Sequence, residues 1–171
     1  MSRLSLFHRL RFWWKATNQY GVHSPFLYTL LTKTLYRSPR FQGPQYWRLL
    51  QKCIAHFNFR TVYWDPELPP KPKLDARFDS VRFVDITQLP SSEEPFMAVL
   101  RPEKAKSLLQ RSSNWPENSL IILPEIHRED QGLHWQTISS EKSLQLTAEF
   151  WSCGLVIVRP GQQKEHFRLR F

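Results

Sequence analysis

Residues 119–128, Ser-Leu-Ile-Ile-Leu-Pro-Glu-Ile-His-Arg, hold the strongest structural signal in the chain. The apolar run at residues 120–123 does not alternate with polar residues, which predicts a strand covered on both faces. Pro124 ends the ladder, and Glu125 and His127 follow at the carboxyl end of the strand. Ligands of open α/β sheets bind at that edge. The stretch therefore predicts an α/β fold and the place to look for functional residues.

Length and composition are those of one folded domain. The chain has 171 residues, of which 41% are hydrophobic and 23% are charged, and this excludes a disordered protein. No apolar run approaches the ~20 residues that a membrane-spanning helix needs, and basic residues interrupt the region where a signal peptide would be apolar. Cys53 and Cys153 are predicted to be buried reduced thiols of a cytoplasmic protein, with one disulfide as the alternative.

The net charge of +9 is unevenly placed along the chain. Residues 1–64 hold ten Lys or Arg and no Asp or Glu, whereas the other residues hold 14 bases and 15 acids. Such asymmetry predicts an anionic partner, either a membrane surface or a nucleic acid. The bases that would first meet this partner lie in a predicted amphipathic helix at residues 3–18, and they are Arg3, Arg9, Arg11 and Lys15.

The basic helix at residues 3–18 has two interpretations. A basic amphipathic helix with Trp and Phe is typical of an interfacial membrane anchor, which would place the protein at the inner face of a membrane. We favour a helix that packs on the domain and uses its bases for solubility. Its apolar arc has Leu4, Phe7, Leu10, Arg11 and Trp14 at helical spacing and is widened by Phe12 and Trp13. A nucleic acid would instead stack its bases on exposed aromatic rings, for which the sequence offers Trp13, Trp14, Tyr20 and Trp47.

Periodicity and turn residues predict alternating elements after a helical start. The predicted helices lie at residues 3–18, 25–36, 45–57, 102–112 and 129–138, the last broken early by Gly132. The predicted strands lie at residues 61–64, 80–85, 95–100, 120–123, 144–150, 155–159 and 166–171. Residues 144–159 are predicted to form a hairpin with Gly154 in its loop. The whole chain is expected to be one domain, a basic helical part over residues 1–58 and an α/β part over residues 59–171.

Both ends of the chain carry motifs of a known family. Residues 18–28, Asn-Gln-Tyr-Gly-Val-His-Ser-Pro-Phe-Leu-Tyr, resemble the N-terminal signature of a bacterial family of class I S-adenosylmethionine-dependent methyltransferases. Residues 125–127, Trp135 and the tail at residues 159–171 are similar to the family's Asp-Ile-His, Trp and Gln-Lys-Glu-His-Phe elements. The resemblance covers about residues 10–60 and 115–171. It implies a Rossmann-like, mostly parallel sheet with an antiparallel C-terminal hairpin.

The middle of the chain departs from that family. Its members carry an acid-x-Gly-x-Gly turn after the first strand, where backbone approaches the cofactor. Here residues 64–70 read Trp-Asp-Pro-Glu-Leu-Pro-Pro, and no glycine occurs between Gly43 and Gly132. Proline cannot take a positive φ and lacks an amide donor, so no cofactor is expected. If S-adenosylmethionine does bind, the candidate contacts are Asp65, Asp85 and His23, although each also fits a turn or helix-capping role.

Catalytic candidates come from the end of the central strand. His127 with Glu125 fits a base and its neighbour, or, with Asp130 and His134, a loose group of metal ligands. The spacing fits no compact zinc pattern, so no metal is expected, and a His127 that bonds loop backbone is the favoured alternative. The predicted function is a degenerate methyltransferase-like module that binds a protein or a second copy of itself. The alternatives are an active methyltransferase with an atypical cofactor site, and a membrane or nucleic-acid binder.

Overall fold

The computed structural model describes residues 10, 12–88, 94–109, 115–128 and 131–171, and it has the predicted α/β fold. The strands are β1 Thr61–Trp64, β2 Arg82–Asp85, β3 Met97–Val99, β4 Leu120–Pro124, β5 Leu146–Glu149, β6 Cys153–Ile157 and β7 Glu165–Arg168. The helices are α1 Pro25–Leu30, which continues as a π-helical turn over Leu31–Leu35, then α2 Gln45–Phe57, α3 Pro102–Leu109 and α4 Gly132–Ser140. Short 3-10 turns lie at Gln19–Gly21, Ala76–Phe78 and Ile86–Gln88.

The strands form one mostly parallel sheet in the order β2-β1-β3-β4-β6-β5-β7. Strand β6 is antiparallel to both of its neighbours, β4 and β5, and every other pair is parallel. The predicted antiparallel C-terminal hairpin is therefore confirmed, and its second strand is inserted beside the central strand. As a result, β1, β2, β3, β4 and β5 run in the same direction, and their carboxyl ends lie at one edge of the sheet.

Strand β4 is the centre of the core, as its apolar run predicts. All five of its residues are buried, and alternate side chains enter two separate hydrophobic clusters. Leu120 and Ile122 face the cluster that contains α1 and α2, while Ile121 and Leu123 face the cluster that contains α3 and α4. A strand that is covered on both faces has no solvent side, and this explains the absence of polar alternation.

Gly154 is a strand residue, so its predicted place in the hairpin loop is wrong. It pairs with Leu123 on one side and with Glu149 on the other. The indole of Trp135 lies directly on its backbone, and a Cβ added to Gly154 would stand 2.4 Å from Trp135 Cζ3. The glycine is therefore required for the close approach of a helix to the sheet and not for a turn.

Helix α4 also differs from its prediction. It begins at Gly132, which the sequence analysis expected to break it, and it ends at Ser140. The predicted start at residues 129–130 and the predicted end of α3 at residues 110–112 lie outside the described residues. The start of α1 agrees with its prediction, because the Ser24 hydroxyl accepts a hydrogen bond from the Leu27 amide and Pro25 is the first helical residue.

The N-terminal helix packs on the domain through only part of its predicted apolar arc. Residues 12–15 are helical, and Phe12 and Ala16 are buried. Leu10 and Trp14, which belong to the same predicted arc as Phe12, are exposed. Residues 3–9 and 11, with the predicted bases Arg3, Arg9 and Arg11, lie outside the described part of the chain.

Both cysteines are buried free thiols, as predicted. Burial raises the pKa of the Cys53 thiol to about 12 and also raises the pKa of the Cys153 thiol. Neither is therefore ionised at neutral pH. In the described ranges, no helix has the length and apolar character that crossing a membrane requires.

Candidate functional site

The carboxyl ends of the parallel strands frame a cleft of about 320 Å³. Its walls come from the residues after β1, the start of α3 and the turn after β4, and they include Glu67, Arg101, Glu125 and Arg128. This volume is at the lower end of the ~300–1,000 Å³ that small-molecule sites occupy. The cleft lies at the edge where the sequence analysis expected ligand chemistry.

Asp65, the residue that follows β1, is fully buried beside this cleft. Its Oδ1 accepts hydrogen bonds from Lys104 Nζ at 3.0 Å and from the Glu67 amide at 3.1 Å. Its Oδ2 accepts from the Arg101 side chain, with Nε at 3.3 Å, and from the Arg101 amide at 3.4 Å. Both carboxylate oxygens are therefore already bonded to donors of this same chain.

Two further acids complete an ion-pair cluster around these cations. Glu67 Oε1 lies 2.5 Å from Lys104 Nζ, and its other oxygen pairs with the guanidinium of Arg101. Glu103 Oε1 lies 3.0 Å from Arg101 Nη1. We call Asp65, Glu67, Arg101, Glu103 and Lys104 the Asp65 cluster. It links the loop after β1 to the start of α3 across the cleft.

The Asp65 carboxylate is held ionised by its partners. Burial by itself raises the pKa of this group, but hydrogen bonds from the Glu67 amide, Lys104 and Arg101 outweigh that effect and leave the pKa below its ordinary value. A buried carboxylate whose negative charge is balanced by Lys104 and Arg101 stabilises the fold. It has no free lone pair with which to receive a ligand's hydroxyl groups.

The other two cofactor candidates lie outside the Asp65 cluster. Asp85 Oδ1 accepts hydrogen bonds from the amide and the hydroxyl of Thr87, both at 2.8 Å, and so caps the turn after β2. These bonds lower the pKa of Asp85. His23 is exposed in the turn before α1 and takes no part in the Asp65 cluster. The observed hydrogen bonds of Asp85 are therefore those of a turn residue.

Glu125 and His127 do not pair with each other. Glu125 takes a positive φ of 56° in the turn after β4, and its carboxylate contacts Arg128 Nη1 at 3.1 Å. His127 instead lies 3.2 Å from Glu149 Oε1, measured from its Nε2. The Nε2 atom of His127 therefore meets a side-chain carboxylate.

Glu149, at the end of β5, is a buried acid at this edge of the sheet that was not among the residues predicted from the sequence. Its side chain is 7% exposed. Besides His127 it has three donors or charged partners within 3.5 Å, all at Oε2: Trp135 Nε1 at 3.3 Å, Arg168 Nε at 3.3 Å and His166 Nε2 at 3.5 Å. We call Glu149 and these four partners the Glu149 cluster. It joins α4, β5, β7 and the turn after β4.

Two sequence signals point to the Glu149 cluster. The first is that Glu149 is an acid at the end of a strand whose other residues are apolar or small. The second is the spacing of two basic side chains, because residues at i and i+2 of a strand share one face. His166 and Arg168 are two residues apart in β7, which pairs with β5 in the register Thr147↔His166 and Glu149↔Arg168. The pairing of β5 with β7 is a long-range contact, and the local sequence does not contain it.

The Glu149 carboxylate is also held ionised. Burial by itself raises its pKa, whereas the hydrogen bonds of His127 and His166 and the charge of Arg168 lower it well below its usual range. His127 is further fixed by aromatic contacts. Its ring stacks on Trp151 with centroids 5.4 Å apart, and the ring of Phe12 meets both of them edge-on at 6.0 and 5.7 Å. The N-terminal helix therefore covers this part of the sheet edge.

No protein-family model, curated protein sequence or solved structure matches this chain. The resemblance to the methyltransferase family therefore stays a prediction that rests on the two motifs.

As for metals, the described residues contain no group of three or more His, Cys, Asp and Glu side chains placed to hold an ion. Asp130, one of the loosely clustered candidates, lies outside them.

The different roles of Asp65 and Asp85 give a direct test. We expect Asp65→Asn to lower the free energy of unfolding by about 2 kcal/mol, because the amide loses charge-assisted bonds to Lys104 and Arg101. Asp85→Asn is the matched control, and we expect a change below about 0.5 kcal/mol, since asparagine also caps such turns. Urea unfolding at pH 7 measures both changes. Equal losses in the two variants would show that the Asp65 cluster is no stronger than a turn cap.

Proposed function

We propose that this chain is a degenerate methyltransferase-like protein that does not bind S-adenosylmethionine and acts as a binding or scaffold module. The observation that carries the proposal is the saturation of Asp65. The acid after the first strand is fully buried, and four donors of the chain itself occupy its two oxygens. A cofactor would have to break these bonds in order to reach it.

The loop after β1 supports the same proposal. It contains four prolines within residues 66–72 and no glycine. A nucleotide-type cofactor is held largely by backbone amides at this turn, and prolines offer none. Of the amides that remain in this loop, that of Glu67 donates to the Asp65 carboxylate and that of Leu68 donates to the Asp65 carbonyl.

The runner-up is an active methyltransferase with an atypical cofactor site. What favours it is the cleft of about 320 Å³, whose mouth carries Glu125 and Arg128 at the carboxyl end of the sheet. In that case the cofactor would lie across the cleft and would not contact Asp65. Binding measurements separate the two candidates without knowledge of a methyl acceptor.

The test is calorimetric titration of the full chain with S-adenosylmethionine and with S-adenosylhomocysteine. We expect no saturable heat up to millimolar ligand and no change in melting temperature. A ligand at 100 times its Kd would stabilise the fold by about 2.7 kcal/mol, so a thermal shift would reveal it independently. Near-UV circular dichroism of the same sample controls for correct folding.

Micromolar binding by either ligand would overturn the proposal and favour the active enzyme. Glu125→Ala then locates the site, because a ligand in the cleft would lose affinity when this lining residue is shortened. Glu117→Ala is the matched control, since Glu117 is an exposed ion-pair partner of Arg159 and does not line the cleft.

A further inference from the structure

The N-terminal helix and the 3-10 turn at Gln19–Gly21 present large apolar side chains to solvent. Trp14 is 93% exposed, Tyr20 is 82% exposed and Leu10 is 62% exposed. Tryptophan is on average one of the more buried residue types, so an indole that is almost completely exposed is an unusual cost for a folded domain. Leu10 and Trp14 are four residues apart, and this spacing puts them on one face of a helix.

This apolar face is held in a fixed place. Phe12 and Ala16, on the other side of the segment, are buried, and Phe12 packs against the rings of His127 and Trp151. The Thr17 amide donates to the Arg168 carbonyl at 2.8 Å and so ties the segment to β7.

The last residues of the chain hold the helix as well. Arg170 Nη2 donates to the Trp13 carbonyl at 2.6 Å, and its guanidinium lies over the Trp13 ring at 5.7 Å. The Arg170 amide donates to the Thr17 carbonyl at 3.2 Å. The exposed face is therefore displayed by the domain on a rigid support.

The charged residues in this part of the sequence are all basic. Lys15 follows Trp14 and is exposed, and the first 64 residues contain ten bases and no acid. An apolar face bearing Trp and Leu, in a stretch of sequence whose charged residues are all basic, is complementary to a partner with an apolar interior beneath a negatively charged surface. Lipid bilayers with anionic headgroups have this character.

We infer that the face formed by Leu10 and Trp14, which we call the N-terminal face, docks on an anionic lipid bilayer. Leu10 and Trp14 would enter the headgroup boundary, and Lys15 would meet lipid phosphates. The inference deepens the proposed function, on which it rests, by naming the partner of the binding module. Its test needs no S-adenosylmethionine, so the two proposals fail independently.

Nucleic acid fits the exposed residues less well. Of the four aromatic residues considered for base stacking, Trp47 is 1% exposed and packs against Trp64 with ring centroids 5.8 Å apart. Trp13 carries the guanidinium of Arg170 on its ring. Leu10 cannot stack on a base, whereas leucine and tryptophan together are typical of helices at membrane interfaces.

The test is sedimentation of the full chain with vesicles. Vesicles of 30% phosphatidylglycerol and 70% phosphatidylcholine are compared with pure phosphatidylcholine at 50 and 500 mM NaCl. We expect binding to the anionic vesicles at low salt, weaker binding at high salt and little binding to neutral vesicles. Trp14→Ala should weaken binding about tenfold, because it removes most of the buried apolar area of the face.

Matched variants separate the N-terminal face from general surface effects. Leu133→Ala removes another exposed apolar side chain, 74% exposed on α4, and should leave binding unchanged. Lys15→Glu should weaken binding at low salt, whereas Lys106→Glu, an exposed lysine on α3, should have a smaller effect. The Trp14 contribution to fluorescence, obtained by subtracting Trp14→Phe from the parent protein, should shift to the blue with anionic vesicles.

Three results would overturn the inference. The first is the absence of binding to anionic vesicles by protein of native near-UV spectrum. The second is tighter binding to a single-stranded or duplex oligonucleotide, lost in Trp14→Ala, which would assign the N-terminal face to nucleic acid. The third is a dimer at micromolar concentration by light scattering that becomes monomeric in Trp14→Ala, which would show that a second copy covers the face.

Discussion

Replacing Glu149 by alanine is expected to lower the free energy of unfolding by about 3 kcal/mol at pH 7. The carboxylate is buried and joins β5 to β7, to α4 and to the turn after β4 through Arg168, Trp135 and His127. Trp135 is buried, with 2% of its surface exposed. Removal of the carboxylate leaves the indole N–H of Trp135 without its acceptor. Urea unfolding followed by circular dichroism measures the loss.

Glu149→Gln separates the charge from the shape of the side chain. The amide oxygen can still accept from Trp135, but the attraction to Arg168 is lost, so we expect about half of the alanine effect. A glutamine variant as unstable as the alanine variant would assign the stabilisation to charge alone. One as stable as the parent protein would show that neither the charge of Glu149 nor its bond to Arg168 stabilises the fold.

The Glu149 effect should depend on pH in a definite direction. The folded-state pKa of Glu149 is depressed, so the carboxylate contributes its full stabilisation above the ordinary glutamate pKa of about 4.3 and loses it as the pH falls towards the folded-state value. The difference in unfolding free energy between the parent protein and Glu149→Gln should therefore be larger at pH 7 than at pH 3. A difference that is constant over this range would show that Glu149 is not ionised in the fold.

Gly154→Ala is expected to lower the free energy of unfolding by about 3 kcal/mol, near the upper end of overpacking effects. The added Cβ would lie 2.4 to 2.8 Å from three ring atoms of Trp135, which is itself buried. The backbone has little room to retreat, because Gly154 is paired with both β4 and β5. Thermal and urea unfolding report the change.

Gly132→Ala is the matched control for Gly154. A Cβ at this position, the first residue of α4, meets only the Ile126 carbonyl oxygen at 3.8 Å, an ordinary contact. We expect a change within about 0.5 kcal/mol. Trp135→Leu provides a second check, because removal of the indole should make Gly154→Ala much less costly in the double variant. Additive losses would mean that the indole is not what excludes a side chain at Gly154.

Much of the fold could be predicted from local pattern. The apolar run of β4, the serine cap and proline start of α1, and the periodicity of α2 depend on neighbouring residues, and the structure has all three. The predicted position of Gly154 is wrong because a glycine in a sequence has two common causes: a turn that needs backbone freedom, or a close contact that leaves no room for a side chain. Which of the two applies at Gly154 depends on Trp135, nineteen residues away.

Less of the candidate site could be predicted. The sequence places Asp65, Asp85, Glu125 and His127 at strand ends, and the structure has them there. Their partners were not predictable, because Lys104 reaches Asp65 and Glu149 reaches His127 from distant parts of the chain. Which part of the N-terminal apolar arc packs was also not predictable, since periodicity identifies apolar residues but does not say which of them the domain covers.

By itself the sequence determined the α/β class, the buried central strand, the positive N-terminal third and the absence of a glycine turn after β1. These follow from composition and from the short-range periods of helix and strand. Only the tertiary structure decided that Asp65 is saturated, that Glu149 joins four elements, and that Trp14 faces solvent while Phe12 is buried. Charges and rings find their partners through the pairing of distant strands and helices, and that pairing minimises the free energy of the whole chain rather than of any one segment.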